Sequence, residues 1–300
     1  MNNFSLADLE PIDHRRPILI AGPTASGKSD LAVQIARRFG GIIVNADAIQ
    51  VYSNWRILSA RPSAKDEARV EHALYGHLPF DADYSVGHWL REVSPILACN
   101  ERPIITGGTG LYFTALTQGL AELPPVSAQV REEANRRVQS YGYETFLTEI
   151  DDETKHRLDT QNPMRVQRAW EVQKATGRPL HYWHSQTPPP TLPLDQCFAI
   201  VVEGPKEWLN DRIEKRFDKM VQSGALDEAR AQIDGWNPKL LSSKAIGAAE
   251  LISHLKGEMS LEDAKKRATI ATRQFAKRQR TWFRSKMKDW HRVDPTKLIL

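Results

Sequence analysis

The sequence predicts an α/β fold, a parallel sheet flanked by helices and interrupted by a helical insertion, on three observations. Short, continuously apolar runs alternate with stretches of helical periodicity. A glycine-rich loop joins the first run to the first helix. Two proline clusters, Pro124-Pro125 and Pro188-Pro189-Pro190, bracket about sixty residues of helical pattern with strand-like runs on both sides. Strands without polar alternation belong to sheets covered on both faces, which joins the observations into one architecture.

The elements follow in order. Pro17 to Ala21 reads as a buried strand, Lys28 to Phe39 as a helix and Gly41 to Asn45 as a second strand. Pro103 to Thr106 is a third strand, ending at Gly107-Gly108-Thr109-Gly110, and Cys197 to Val202 a later one of the same kind. From Lys206 onward the pattern is mostly helical. The expected division is residues 1–122 and 192–300 as the core and 123–191 as the insertion.

Composition narrows the class. Hydrophobic content of 41% and charged content of 26% are those of an ordinary globular chain. Cys99 and Cys197 have no CxxC partner, so a disulfide framework or cysteine zinc site is not expected. His72, His77 and His88 lack tight metal-ligand spacing. The N-terminal stretch carries acids and no apolar leader, and no apolar run is long enough to span a bilayer. A soluble cytoplasmic protein, acting as a monomer, is the expectation. Net charge is +4, yet Lys265 to Arg292 holds eleven Lys or Arg against Asp289. That stripe of +10 leaves about −6 for the rest, which points to a polyanionic partner.

Gly22-Pro23-Thr24-Ala25-Ser26-Gly27-Lys28-Ser29 fits G-x-x-x-x-G-K-[ST] between a strand and a helix. Glycines let successive N–H groups and the positive helix end face a phosphate; Lys28 adds a cation and Ser29 a magnesium ligand. This makes the fold P-loop NTPase-like. An ATPase also needs an acid at the end of an apolar strand to anchor magnesium. The third strand ends in Thr106-Gly107-Gly108-Thr109 instead. The acid at a strand's carboxyl end near the loop is Asp47, able to hold magnesium, hold a sugar or act as a base. Its plain alternative is a helix N-cap.

Six motifs in order resemble the tRNA dimethylallyltransferases (tRNA isopentenyltransferases) through nearly the whole chain. They are Gly22 to Ser29, Asn45 to Tyr52, Gly107 to Tyr112, Asn162 to Glu171, Arg212 to Arg216 with Met220, and Ala271 to Gln279 with Trp282. The resemblance implies that the loop holds the diphosphate of dimethylallyl diphosphate rather than ATP. It implies transfer of the five-carbon group to the exocyclic amine of the adenosine 3′ of the anticodon, flipped out of its loop. Magnesium is the implied cofactor, and the anticodon stem-loop of tRNA the implied partner. The sequence departs from the family between Asn54 and Pro62, and at Lys244-Ala245-Ile246-Gly247, where the family's tyrosine is missing.

By this reading Asp47, Thr24 and Arg216 serve the chemistry: Asp47 as general base, Thr24 near the reacting end, Arg216 with Lys28 on the leaving diphosphate. On a helical wheel Leu209, Ile213, Phe217 and Met220 form a buried stripe, with Arg212 and Arg216 on its flank. A surface salt bridge is the alternative for either arginine. The resemblance further implies tRNA contacts from Asp47, Ala48, Ile49, Gln50, Gly108, Thr109 and Gly110. It extends them to Met164, Arg165, Val166, Gln167 and Arg168, and to Lys244 and Gly247. Arg165 and Arg168 start a helix capped by Asn162, where cations oppose the helix dipole unless an anion is near. Late in the chain Ala271, Phe275 and Trp282 share one helix face, expected to pack on the body. Arg273, Lys277, Arg280 and Arg284 share the opposite face, expected to track a phosphate backbone. Trp89, Trp170, Trp183 and Trp208 are expected in the core or at interfaces. The main rival is a small-molecule kinase on the same loop, which would turn over ATP without tRNA.

Overall fold

A computed structural model describes Leu9 and residues 13–298; most of the stretch read for a leader lies outside the described residues. The chain divides into two compact units, residues 1–117 with 191–300 and residues 118–190. The proline clusters had placed these boundaries at 123 and 191.

The first unit is built on β1 (Ile18–Ala21), β2 (Ile42–Asn45), β3 (His72–Ala73), β4 (Pro103–Gly107), β5 (Phe198–Val202) and β6 (His291–Val293). They form one sheet in the order β3-β2-β4-β1-β5-β6, every pair parallel. The central strands are apolar on both sides because both faces are covered. On one face Ile18, Ile20, Ile43, Ile104 and Ile200 pack on Leu31, Ala32 and Ile35 of α1 (Lys28–Phe39). On the other, Leu19, Val44, Ile105 and Val201 meet side chains of three helices. Those helices are α3 (Val86–Leu97), α4 (Gly110–Gln118) and α12 (Leu261–Lys286). The short α2 (Ala64–Glu67) lies between β2 and β3. β3 and β6 went unread because two and three residues carry no periodicity.

Register brings the strand ends level: Ala21 pairs with Gly107, and Asn45 with Thr106. The loops after β1, β2 and β4 therefore emerge along one edge, where open parallel sheets bind ligands. After β5 come α9 (Lys206–Met220), α10 (Leu226–Arg230) and α11 (Ala248–Leu255). Their apolar faces join Trp55, Leu58, Ala264 and Ala268 in a further cluster.

The second unit holds α5 (Ala128–Tyr141), α6 (Asp152–Arg157), α7 (Pro163–Thr176) and α8 (Leu180–Ser185) around its own core. Phe146 stacks on Trp170 with ring centres 4.7 Å apart. Asn162 caps α7, its side chain accepting from Arg165 N–H at 3.3 Å.

Candidate active site

Three loops along the sheet edge are laced by hydrogen bonds from their backbone N–H groups. Gly22 N–H donates to Gly107 O (3.3 Å), Thr109 N–H to Ala46 O (3.1 Å) and Ala48 N–H to Thr109 Oγ1 (3.0 Å). Gly107 has to be glycine: a Cβ there would lie 2.0 Å from Ala46 O. Within the phosphate loop, Ala25 and Gly27 have φ of +63° and +89°, left-handed values that turn the chain into α1. Arg212 steadies the strained alanine, Nε donating to Ala25 O at 2.8 Å while its guanidinium lies over Trp208. Arg212 is thus a clasp on the loop rather than a surface ion-pair partner.

The loop separates two cavities. One, of about 440 Å³, is lined by Ala25 to Ser29 together with Arg61, Tyr75, Thr106, Arg212 and Arg216. The other, of about 560 Å³, is lined by Thr24, Asp47 to Gln50, Gly108 to Gly110 and Lys244. The rest of its wall is mostly apolar, with Leu58, Ile213, Phe217, Met220, Phe275 and Trp282, joined by Ser59, Thr272, Arg278 and Gln279. Lys28 and Arg216 line both. The stripe read along α9 is therefore a cavity wall as well as a packing seam.

Burial pushes the Lys28 amine down to about 8, against the pull of the Asp47 carboxylate, and Arg216 pushes the same way. Arg216 is also lowered by burial, with Asp47 opposing. Two desolvated cations beside one carboxylate leave surplus positive charge, the state expected of a site built for a polyvalent anion.

Asp47 caps no helix. Its Oδ1 accepts from Ile49 N–H at 3.0 Å in a tight turn. Asn45, fully buried, accepts from Asp47 N–H at 2.8 Å and donates to Asp47 O at 2.9 Å. Trp89 Nε1 donates to Asn45 O at 2.7 Å, so the base of the turn is held from α3. The carboxylate is carried at the cavity wall by a rigid support.

The residues present fit magnesium. Thr106 Oγ1 is buried without a hydrogen-bond partner and lines the cavity that Ser29 also lines. Two hydroxyls suit a hard cation that keeps most of its waters and shares phosphate oxygens. Among the described residues no group of three or more His, Cys, Asp or Glu is arranged as a metal cage.

Other expected site residues fall elsewhere. Gly22 and Pro23 are buried under the loop they shape. Gly247, with φ +97°, packs against the Phe217 ring rather than lining a cavity. Arg273 pairs with Glu214 at 2.7 Å, and Arg280 and Arg284 with Glu203 at 3.3 and 2.6 Å. Their helix face is partly neutralised from within, whereas Lys277 stays exposed. In the second unit Met164 and Arg165 are exposed, Gln167 bonds Asn135, and Arg168 lies 3.6 Å from Glu171. Val166 is a correction: its side chain is wholly buried in that unit's core, because the apolar stripe of α7 turns it inward.

The inward face of α12 is a second correction. Ala271, Phe275 and Trp282 are half-buried, and the buried seam runs through Ala268, Ala276, Gln279 and Phe283. The seam lies about 80° round the wheel from the expected face, and its polar member is Gln279. Gln279 accepts from Thr24 N–H at 2.9 Å and donates to Gly108 O at 2.9 Å. Arg61, Tyr75 and Arg278 are further cavity residues the sequence reading passed over.

The IPP transferase family model matches residues 50–286, and an isopentenyl transferase model residues 16–74. A tRNA dimethylallyltransferase of Ruegeria sp. (strain TM1040) is 56% identical over 97% of this chain and 99% of its own. That of Dinoroseobacter shibae is 56% identical over 97% and 98%. Among solved structures, the tRNA isopentenylpyrophosphate transferase of Bacillus halodurans superposes with TM-score 0.67 at 29% identity, covering 95% of this chain and 91% of its own. A eukaryotic dimethylallyltransferase acting on tRNA, 24% identical, shares the fold with TM-score 0.79 over 93% of this chain and 73% of its own.

Proposed function

The chain belongs to the IPP transferase family, the tRNA dimethylallyltransferases, and from that premise we propose how it transfers the dimethylallyl group to tRNA. The observation that carries the reading is the pair of cavities meeting at Lys28 and Arg216. The polar one fits a diphosphate, held by loop N–H groups and the two cations. The apolar wall of the other fits the five-carbon chain, with the flipped adenine of the adenosine 3′ of the anticodon entering beside Asp47.

The reaction breaks the bond between C1 and the diphosphate oxygen and forms a bond from C1 to the adenine amine. Charge grows on the departing oxygen, where Lys28, Arg216 and the remaining loop N–H groups would stabilise it. Thr24 lines the apolar cavity with Lys28, and its hydroxyl is proposed to act at the reacting end. As the amine nitrogen bonds to carbon it loses a proton to the Asp47 carboxylate. The apolar wall keeps water from C1, so hydrolysis does not compete. Ser29 and Thr106 would hold magnesium, which supplies further charge neutralisation on the diphosphate.

Met164, Arg165, Gln167 and Arg168 of the second unit are proposed to meet the anticodon stem-loop, as are Lys277 and Lys244 of the first. Among the described residues no helix is long and apolar enough to cross a membrane. The reading places the enzyme in the cytoplasm as a monomer. The test supplies magnesium, labelled dimethylallyl diphosphate and unmodified tRNA, with ATP consumption followed in parallel. Label should enter tRNA, fall by about 10²-fold or more in Asp47→Ala, and leave ATP untouched. ATP turnover without tRNA labelling would establish a kinase instead.

A further inference from the structure

Gln279 is a buried amide in a helix whose inward face is otherwise alanine and phenylalanine. Both ends of the amide are engaged: Oε1 accepts from Thr24 N–H and Nε2 donates to Gly108 O, each at 2.9 Å. One planar group thus bridges the phosphate loop after β1 to the glycine loop after β4. A leucine here would leave the Thr24 N–H and the Gly108 carbonyl without these partners, and buried unpaired groups are costly. Gly108 is cut to fit, since a Cβ there would come within 2.3 Å of Nε2. In a phosphate loop the N–H groups ordinarily turn toward the anion. The Thr24 N–H is committed to Gln279 instead, which fixes the Thr24 backbone with its side chain at the wall shared with Lys28 and Asp47.

We infer that Gln279 is a positioning residue for the transfer step, setting the spacing between the diphosphate-holding loop and the adenine-side loop and acting through Thr24. The inference rests on the prenyl-transfer reading above. Neither contact is a bond to substrate, so loss of Gln279 should slow the reaction more than it weakens binding. Misplacing a reacting group by about 1 Å is enough for that.

The experiment compares the parent protein with Gln279→Leu, Gln279→Glu, Thr24→Ala and the Thr24→Ala/Gln279→Leu double variant. Readouts are kcat, equilibrium binding of dimethylallyl diphosphate and of tRNA, and thermal melting. Gln279→Leu should lower kcat by about 10- to 100-fold while both affinities change by less than about threefold. In the Thr24→Ala background the same substitution should cost much less, because the side chain it positions is gone. Gln279→Glu keeps the acceptor for Thr24 and regains the donor toward Gly108 only when protonated. Its kcat relative to the parent should therefore climb as pH falls, and this profile carries the test if Gln279→Leu melts too low to assay. Additive losses, a purely affinity-borne loss, or a flat Gln279→Glu ratio would overturn the role. A parent that labels no tRNA sinks the prenyl-transfer reading instead; an active parent with unaffected Gln279→Leu sinks the positioning role alone.

Discussion

Lys28 shows how much of a site's chemistry sits in one group. Its amine titrates near 8 because burial strips its water, with Asp47 opposing and Arg216 adding to the depression. An incoming diphosphate supplies the missing counter-charge, so binding between about pH 7.5 and 9.5 should take up protons. Calorimetry in buffers of different ionisation enthalpy would read that uptake, and Lys28→Met should abolish it. The same depression has a stability consequence. Between about 8 and the ordinary 10.5 the unfolded chain holds the proton that the folded one releases, so raising pH through that window favours the folded ligand-free protein. Below the window the buried charge is a standing penalty. Lys28→Met should therefore raise the melting temperature at pH 7, by about 2–4 °C per kcal/mol relieved, while removing transfer activity. An unchanged or lowered melting temperature would show that Lys28 carries no such penalty. Lys28, Ser29 and Asp47 were legible because their spacing and place at strand ends are sequence properties. Thr106 and Gln279 were not, since an orphaned hydroxyl and a two-ended amide bridge exist only once distant segments meet.

At the scale of elements, periodicity gave good account of α1, the central strands and the stripe along α9. It misread α12, where a polar residue occupies the buried seam and the aromatic residues line a cavity. α7 carries a prediction of its own. Arg165 is exposed in its first turn, whereas Arg168 lies near Glu171. If both meet phosphates, Arg165→Ala/Arg168→Ala should weaken tRNA binding and flatten the plot of log affinity against log salt by about 0.7–0.9 per lost contact. Arg165→Ala alone should give the larger share, because no carboxylate competes for it within the helix. An unchanged salt slope, measured by fluorescence titration, would remove α7 from the interface. Arg280 and Arg284, both spent on Glu203, should contribute less to that slope than Lys277.

For the whole molecule, each unit has its own core, and the ends of the insertion in the first unit are adjacent: Leu192 N–H donates to Leu116 O at 3.0 Å. A short Gly/Ser linker could close that gap with little loop-closure entropy. Replacing residues 118–190 in this way should leave a cooperatively melting core that still binds dimethylallyl diphosphate and no longer modifies tRNA. A core that fails to fold would mean that the sheet depends on the second unit.

The sequence by itself determined the parallel sheet, the phosphate loop, the acid after β2 and the presence of a helical insertion. Each is written in local spacing: apolar runs make covered strands, glycines at fixed intervals make the loop, and prolines punctuate helices. Only the tertiary structure decided that the loop divides two cavities, that Arg212 clasps Ala25, that Glu203 draws in arginines expected to face outward, and that Gln279 ties two loops together. Those facts depend on which residues far apart in the chain come within a hydrogen bond of each other, and no periodicity along the chain encodes that distance.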